Sequence, residues 1–313
     1  MKIFSRRSGV RGRPALTRRR LKQTIEGYLF ISPWLIGFVL FTAGPVVASL
    51  VLSFFRWSLI EPPRFVGFEN YARMFSDDPL FSKSLRVTLT YVMVAVPLQI
   101  VFALFLAILL NQKVRMIPVF RTIFYLPSVV SGVAISVLWL WLYQPDIGLI
   151  NELLRYVGIK GPAWLVSEQW ALPALIGMSL WTVGGPMIIF LAGLQGIPQE
   201  LYEAAELDGA GEWRKFHHVT LPMLSPAIFF NLVLGFIAGF QTFTQAYVMT
   251  RGGPLNATLF YALYLYLNAF TFLKMGYAAA LAWVMFIIIM ALTMIQLVLA
   301  RRWVYYEYEA ARR

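Results

Sequence analysis

Six runs of this chain, 27–55, 87–112, 122–145, 169–199, 219–250 and 275–300, contain no Asp, Glu, Lys or Arg. A helix crosses the roughly 30 Å hydrocarbon layer of a bilayer in about 20 residues, so each run is long enough to span. Apolar residues follow one another without alternation, which argues against the strands of a membrane barrel. The sequence therefore predicts an all-α fold, a polytopic transmembrane helical bundle of six spans with both termini cytoplasmic. Its 59% hydrophobic and 13% charged residues set it apart from a soluble domain. A seventh apolar stretch, 252–273, carries Asn256, Thr258, Asn268 and Thr271, and only Lys274 separates it from the sixth run. Two antiparallel spans have little room to turn there, so the stretch is expected to be an extracytoplasmic segment packed on the bundle.

The formal charge of +12 is concentrated at the ends of these runs. Lys2, Arg6, Arg7, Arg11, Arg13, Arg18, Arg19, Arg20 and Lys22 all precede the first run. Such a tail beside an apolar span is expected to anchor to anionic lipid rather than to nucleic acid. With Lys113, Arg115, Arg121, Arg214, Lys215, Arg301, Arg302, Arg312 and Arg313, the inner side then holds twice as many basic residues as the outer, in keeping with the positive-inside rule. The expected organisation is a basic cytoplasmic tail over 1–26, a transmembrane domain over 27–300 and a cytoplasmic C-terminal tail over 301–313. The first run is about twice the length of a signal-peptide core and is read as an uncleaved helix.

Cysteine is absent, which excludes disulfides, thiolate ligands and a cysteine nucleophile. His217 and His218 are adjacent and would point about 100° apart on a helix, so no metal site is predicted there. No catalytic constellation emerges either: the clustered acids, from Glu200 to Glu212, lie in a single loop. Proton-coupled carriers need an ionisable group at membrane depth, and the six runs offer none. Energy is therefore expected from elsewhere, although sodium coupling through backbone carbonyls at broken helices stays open.

The informative loop lies between the fourth and fifth runs. Pro198 suits the first turn of a helix, Glu200 the positive end of its dipole, and Gly209 its C-terminal cap. Leu201, Ala204 and Ala205 fall on one face at helical spacing, with Gln199, Glu203 and Glu206 on the polar side. A second short helical stretch holds Trp213 and Phe216, and Leu221 with Pro222 is expected to mark the start of the fifth span.

Glu203-Ala204-Ala205, three residues, Gly209, nine residues, Val219, one residue, then Leu221-Pro222 resembles the signature loop of binding-protein-dependent importer permeases, the ABC transporter permeases. The one departure is Val219, where that pattern has isoleucine. Phe65 to Tyr71, Gly148 to Asn151, Gly252-Gly253-Pro254 and Gly276 to Ala280 are similar to the carbohydrate class, which includes maltose and glycerol-phosphate permeases. The resemblance implies a multi-pass inner-membrane subunit that pairs with a second related permease, two copies of an ABC ATPase and an extracytoplasmic substrate-binding protein. It also implies that loop 197–218 docks the ATPase, with Glu203, Ala204, Ala205, Leu207, Asp208, Gly209, Leu221 and Pro222 as the coupling residues. The chain has no phosphate-cradling Gly-x-x-x-x-Gly-Lys-Ser/Thr sequence, so ATP and Mg²⁺ are expected on the partner ATPase and no cofactor on this chain.

By the same resemblance the substrate path passes Trp181 on the fourth span and Phe240, Gln241, Thr242 and Gln245 on the fifth. Gln241 and Gln245 are spaced to share a helix face, and polar groups in lipid face the bundle interior. Interhelical hydrogen bonding is the competing explanation for them. The spans carry no basic residue for an anion, which favours a neutral sugar over glycerol phosphate. An ion-coupled carrier acting alone is the alternative class.

Overall fold

A computed structural model describes residues 18–112 and 115–305. The tail before Arg18, Lys113, and residues 306–313 with Arg312 and Arg313 lie outside the described residues. The chain divides into two units, one ending at Val51 and the other beginning at Leu52. The first is helical from Arg18: Arg18–Phe38 passes through a wide turn at Val39–Ala43 into Gly44–Leu52. Helix thus begins inside the stretch expected to be tail, because Arg, Leu, Lys, Gln and Glu are good helix formers. Lys22 and Glu26 pair across one turn there at 3.9 Å.

Four helices, Leu21–Leu52, Pro79–Leu110, Glu212–Phe240 and Met275–Trp303, are long and apolar enough to cross a membrane. The two remaining runs are bent pairs rather than straight helices: Ile117–Val129 with Gly132–Leu142 at 101°, and Glu168–Thr182 with Gly184–Gln195 at 46°. In the first, Val130 and Ser131 take extended backbone, with ψ of 143° and 133°. In the second, Gly184, Gly185 and Pro186 follow the bend and weaken helical continuity.

Pro79–Leu110 is the central helix of the second unit, packed against Gly184–Gln195 and Leu221–Phe240. A Cβ on Gly235 would stand 2.7 Å from Val96, and one on Gly239 would stand 2.8 Å from Val92. These two glycines, one turn apart, let the helix backbones approach closely, which is how membrane helices gain contact without a hydrophobic drive between them. Asp78 caps the central helix by accepting from the amides of Leu80 and Phe81 at 3.0 and 3.1 Å.

Within the 252–273 stretch, Tyr261–Tyr266 and the wide turn Leu267–Thr271 form the only helix. At 1.5 Å per residue it covers about 16 Å, too short to span. It packs on the bundle as expected. The Tyr261 amide donates to Thr88 Oγ1 and its hydroxyl to the Leu281 carbonyl, both at 2.8 Å. The hydroxyls of Tyr264 and Tyr277 both donate to Asp78 Oδ2. Among the described residues the only strands are the antiparallel pair Phe55–Arg56 and Arg64–Phe65.

Candidate functional site

The signature loop forms a helix at Gln199–Leu207. Pro198 precedes it in extended backbone, one step outside the first turn expected for it, and Glu200 occupies that turn. Gly209 adopts φ of 75° with nothing within 4 Å of a built Cβ, so its requirement is conformational rather than steric. The Gly209 amide donates to the Glu206 carbonyl and the Ala210 amide to the Ala205 carbonyl, both at 2.9 Å. That pair of bonds is the Schellman closure, which satisfies carbonyls a helix end otherwise leaves unpaired.

Leu201, Ala204 and Leu207 face outward with Glu203 and Asp208, and Leu207 is 90% exposed. Ala205, expected on the same face as Leu201 and Ala204, is half-buried. Tyr202 beside it turns inward and its hydroxyl lies 3.0 Å from Thr220 Oγ1, which fixes the helix rotation. The Glu203 carboxylate accepts from the Gln199 amide at 3.0 Å and remains open to solvent.

The short helical stretch expected around Trp213 forms at Glu212–Lys215 and the α-helix of the fifth run starts at Leu221 as expected, but the two join into one helical run from Glu212 to Phe240. A wide turn at Phe216–Thr220 carries it through: the Leu221 amide reaches back to Phe216, and Pro222 has no amide to give. Lys215 is buried on this helix with its ammonium 2.7 Å from Glu206 and 2.6 Å from Glu212. His217 and His218 point to different carbonyls, those of Trp213 and Arg214. No group of three metal-ligating side chains occurs among the described residues.

A cavity of about 320 Å³ opens where three apolar stretches lose helical form. Ser128, Val130 and Gly132 line it from the 101° bend, Ser179 and Thr182 from the 46° bend, and Thr242 and Gln245 from the end of Leu221–Phe240. Tyr91 and Gln99 face it from the central helix, and Tyr91 interacts with Ser179 and Thr242. No lining residue is charged. Irregular backbone at membrane depth is tolerated where it lines a water-filled space, and helix ends there release unpaired amides and carbonyls. The hydroxyls of Ser128, Ser179 and Thr182 donate to their own helix carbonyls at 2.6–3.0 Å, leaving oxygen lone pairs as acceptors. The glutamine amides both donate and accept, so the wall suits a solute rich in hydroxyls.

Of the five residues expected on the path, Thr242 and Gln245 line this cavity. Phe240 is fully buried in the core, and Gln241 is exposed and points elsewhere. The expected Gln241–Gln245 face does not form, because the helix ends at Phe240 and residues 241–243 are not helical. Trp181 lines a separate apolar recess with Phe102, Phe124 and Trp139. Tyr91, Gln99, Ser128, Ser179 and Thr182 were not anticipated. The signal for three of them was available in the Gly and Pro interruptions of the third and fourth runs, since broken apolar segments point to sites.

Residues 87–305 match the family model described as binding-protein-dependent transport system inner membrane component. The probable ABC transporter permease protein YesP of Bacillus subtilis is 46% identical, over 91% of this chain and 94% of its own. The lactose transport system permease protein LacF of Rhizobium radiobacter is 36% identical, over 88% and 94% respectively. A chain in the crystal structure of a bacterial alginate ABC transporter, in complex with an alginate pentasaccharide-bound periplasmic protein, shares the fold. Its TM-score is 0.80 at 22% identity, covering 92% of this chain and 98% of that one.

Proposed function

This chain belongs to the family of binding-protein-dependent transport system inner membrane components, and we propose that it is one of two related permease subunits of an ATP-driven importer for a neutral sugar or oligosaccharide. It crosses a bacterial-type inner membrane six times, counting each bent pair as one span, with both termini and loop 197–218 in the cytoplasm. Two copies of an ATPase hold ATP and Mg²⁺, and a binding protein delivers solute from outside. The cavity at Tyr91, Ser128, Ser179, Thr242 and Gln245 is this subunit's share of the path.

The observation that carries this reading is the loop helix itself. It presents Leu201, Ala204 and Leu207 outward, is closed by Gly209, and is followed by one helix reaching from Glu212 to the cavity wall. An apolar residue as exposed as Leu207, on a loop at the end of a bundle, suits a protein partner. Closure of the ATPase pair would then rock the spans as rigid bodies between inward-open and outward-open states. Glu203 and Asp208 stand beside the apolar face to pair with cations of the ATPase groove.

The carbohydrate class is supported by the uncharged, hydroxyl-lined cavity and by the lactose transport role in the name of LacF. Glycerol phosphate fits less well, since an anion would find no side-chain cation on this wall. Reconstitution of the full assembly in proteoliposomes tests the reading, with labelled lactose, maltose and glycerol phosphate offered in turn. Uptake of a sugar that requires ATP and the binding protein is expected. Uptake by this chain alone, driven by an ion gradient, contradicts the importer role.

A further inference from the structure

We infer that Lys215 is the positioning residue that locks the coupling helix to the fifth span, so that displacement at the loop reaches the cavity through one rigid lever. The inference rests on the coupling role proposed above for loop 197–218.

Lys215 lies in the first turn of the helical run that ends at Phe240. Its side chain is 10% exposed and its ammonium is held between two carboxylates, Glu206 at 2.7 Å and Glu212 at 2.6 Å. Glu212 is local to the same turn, but Glu206 stands on the coupling helix, so this bond crosses between the two elements. Tyr202 and Thr220 form a second crossing at 3.0 Å. Between the elements the chain passes only through Asp208, Gly209, Ala210 and Gly211, and two glycines in such a connection would by themselves allow a hinge. The two crossings bracket that connection and remove its freedom.

The energetics favour a lock over an incidental pair. Exposed ion pairs contribute little, but here the cation is enclosed while the carboxylates face solvent. Removing the lysine leaves two neighbouring carboxylates without their shared counter-charge, and removing Glu206 takes away the charged bond that crosses the connection. Beyond Lys215 the helical run continues for about 38 Å to Phe240, through the wide turn at Phe216–Thr220 and past Pro222 and Pro226. It ends where the chain unwinds at Gln241, and Thr242 and Gln245 immediately beyond line the cavity. No non-helical residue lies between the locked turn and Gly235, Ala238 and Gly239, which line the cavity from the same helical run.

The chain has no native cysteine, so a single Gln245→Cys reports on the cavity without interference from this subunit. The reconstituted assembly is labelled with a small maleimide, with and without ATP and vanadate. With the native loop, trapping the ATPase changes the labelling rate of the reporter several-fold. Adding Lys215→Met is expected to leave ATPase co-purification intact while cutting that change about tenfold, and Lys215→Arg is expected to restore most of it. A full nucleotide response in the Lys215→Met assembly overturns the lock, as does an absent response with the native loop once the ATPase is bound. Failure of the ATPase to bind the native loop at all refutes the coupling role instead. If Lys215→Met does not insert, Tyr202→Phe with Thr220→Val breaks the other crossing without stranding a charge. A weakened response then supports the lever, and an unchanged one overturns it.

Discussion

The Ala210 amide donates to the Ala205 carbonyl at 2.9 Å across Gly209, which is held at φ of 75°. This closure ends the coupling helix and aims the chain into the helix that begins at Glu212. Since no atom crowds a Cβ at Gly209, the glycine is needed for its backbone alone. Gly209→Ala is therefore expected to cost about 1–2 kcal/mol at this turn, leave membrane insertion intact and weaken ATPase association. Co-purification of the ATPase with the variant checks it, and association at the native level would remove the cap from the coupling role.

Leu207 and Glu203 separate docking from folding. Both are exposed, and the Glu203 carboxylate has only Gln199 beside it among the hydrogen bonds of this helix. Leu207→Asp and Glu203→Ala are expected to change subunit stability by under about 0.5 kcal/mol, as surface substitutions do, yet reduce ATPase binding. Thermal unfolding in detergent and a pull-down, run on the same preparations, give both numbers.

Within the fifth span, adjacent residues are expected to behave differently. Thr242→Val and Gln245→Leu should shift the order of preference among sugars with ATPase binding preserved, because both line the cavity. Phe240→Ala should instead destabilise the subunit by about 3–5 kcal/mol, as emptying a fully buried aromatic site does. Gln241→Ala should change neither. Competition for uptake and thermal unfolding together distinguish the three outcomes.

Asp78 gives a pH signature outside the spans. Burial pushes its carboxyl up, but bonds from the Tyr264 and Tyr277 hydroxyls and the Phe81 and Leu80 amides outweigh it and hold the group below its ordinary value of 3.8. A depressed carboxyl contributes stability that is fully present above the ordinary value and is lost as the pH falls through the lower, folded one. Asp78→Ala should cost about 1–3 kcal/mol near neutral pH. The gap from the native protein should hold until the pH falls below 3.8 and then narrow. Unfolding scans across that range check the sign, and a gap that closes near neutral pH would contradict it.

How much of this was legible in the sequence varied with the kind of signal. The six uncharged runs located the apolar helices because the cost of charge in lipid acts on single residues, wherever they pack. The Gly209 cap was equally local and was read correctly. What the sequence could not give was the rotation of the coupling helix, which the tertiary contact between Tyr202 and Thr220 sets by turning Ala205 inward. The Gln241–Gln245 face fails for a related reason: helical spacing extends past Phe240 on paper, and Gly239, two residues before the unwinding, is the one local signal of it. Ser128 and Ser179 look in the sequence like ordinary membrane serines, and only the convergence of three breaks makes them neighbours of Thr242.

The most direct test uses the absence of native cysteine in this chain. A single Leu207→Cys in the assembled complex, treated with a short thiol-to-amine cross-linker, should join this subunit to the ATPase and should be protected from a membrane-impermeant maleimide added outside intact cells. A residue 207 that labels from outside, or that yields no cross-link to an ATPase under conditions where uptake is supported, would contradict the account.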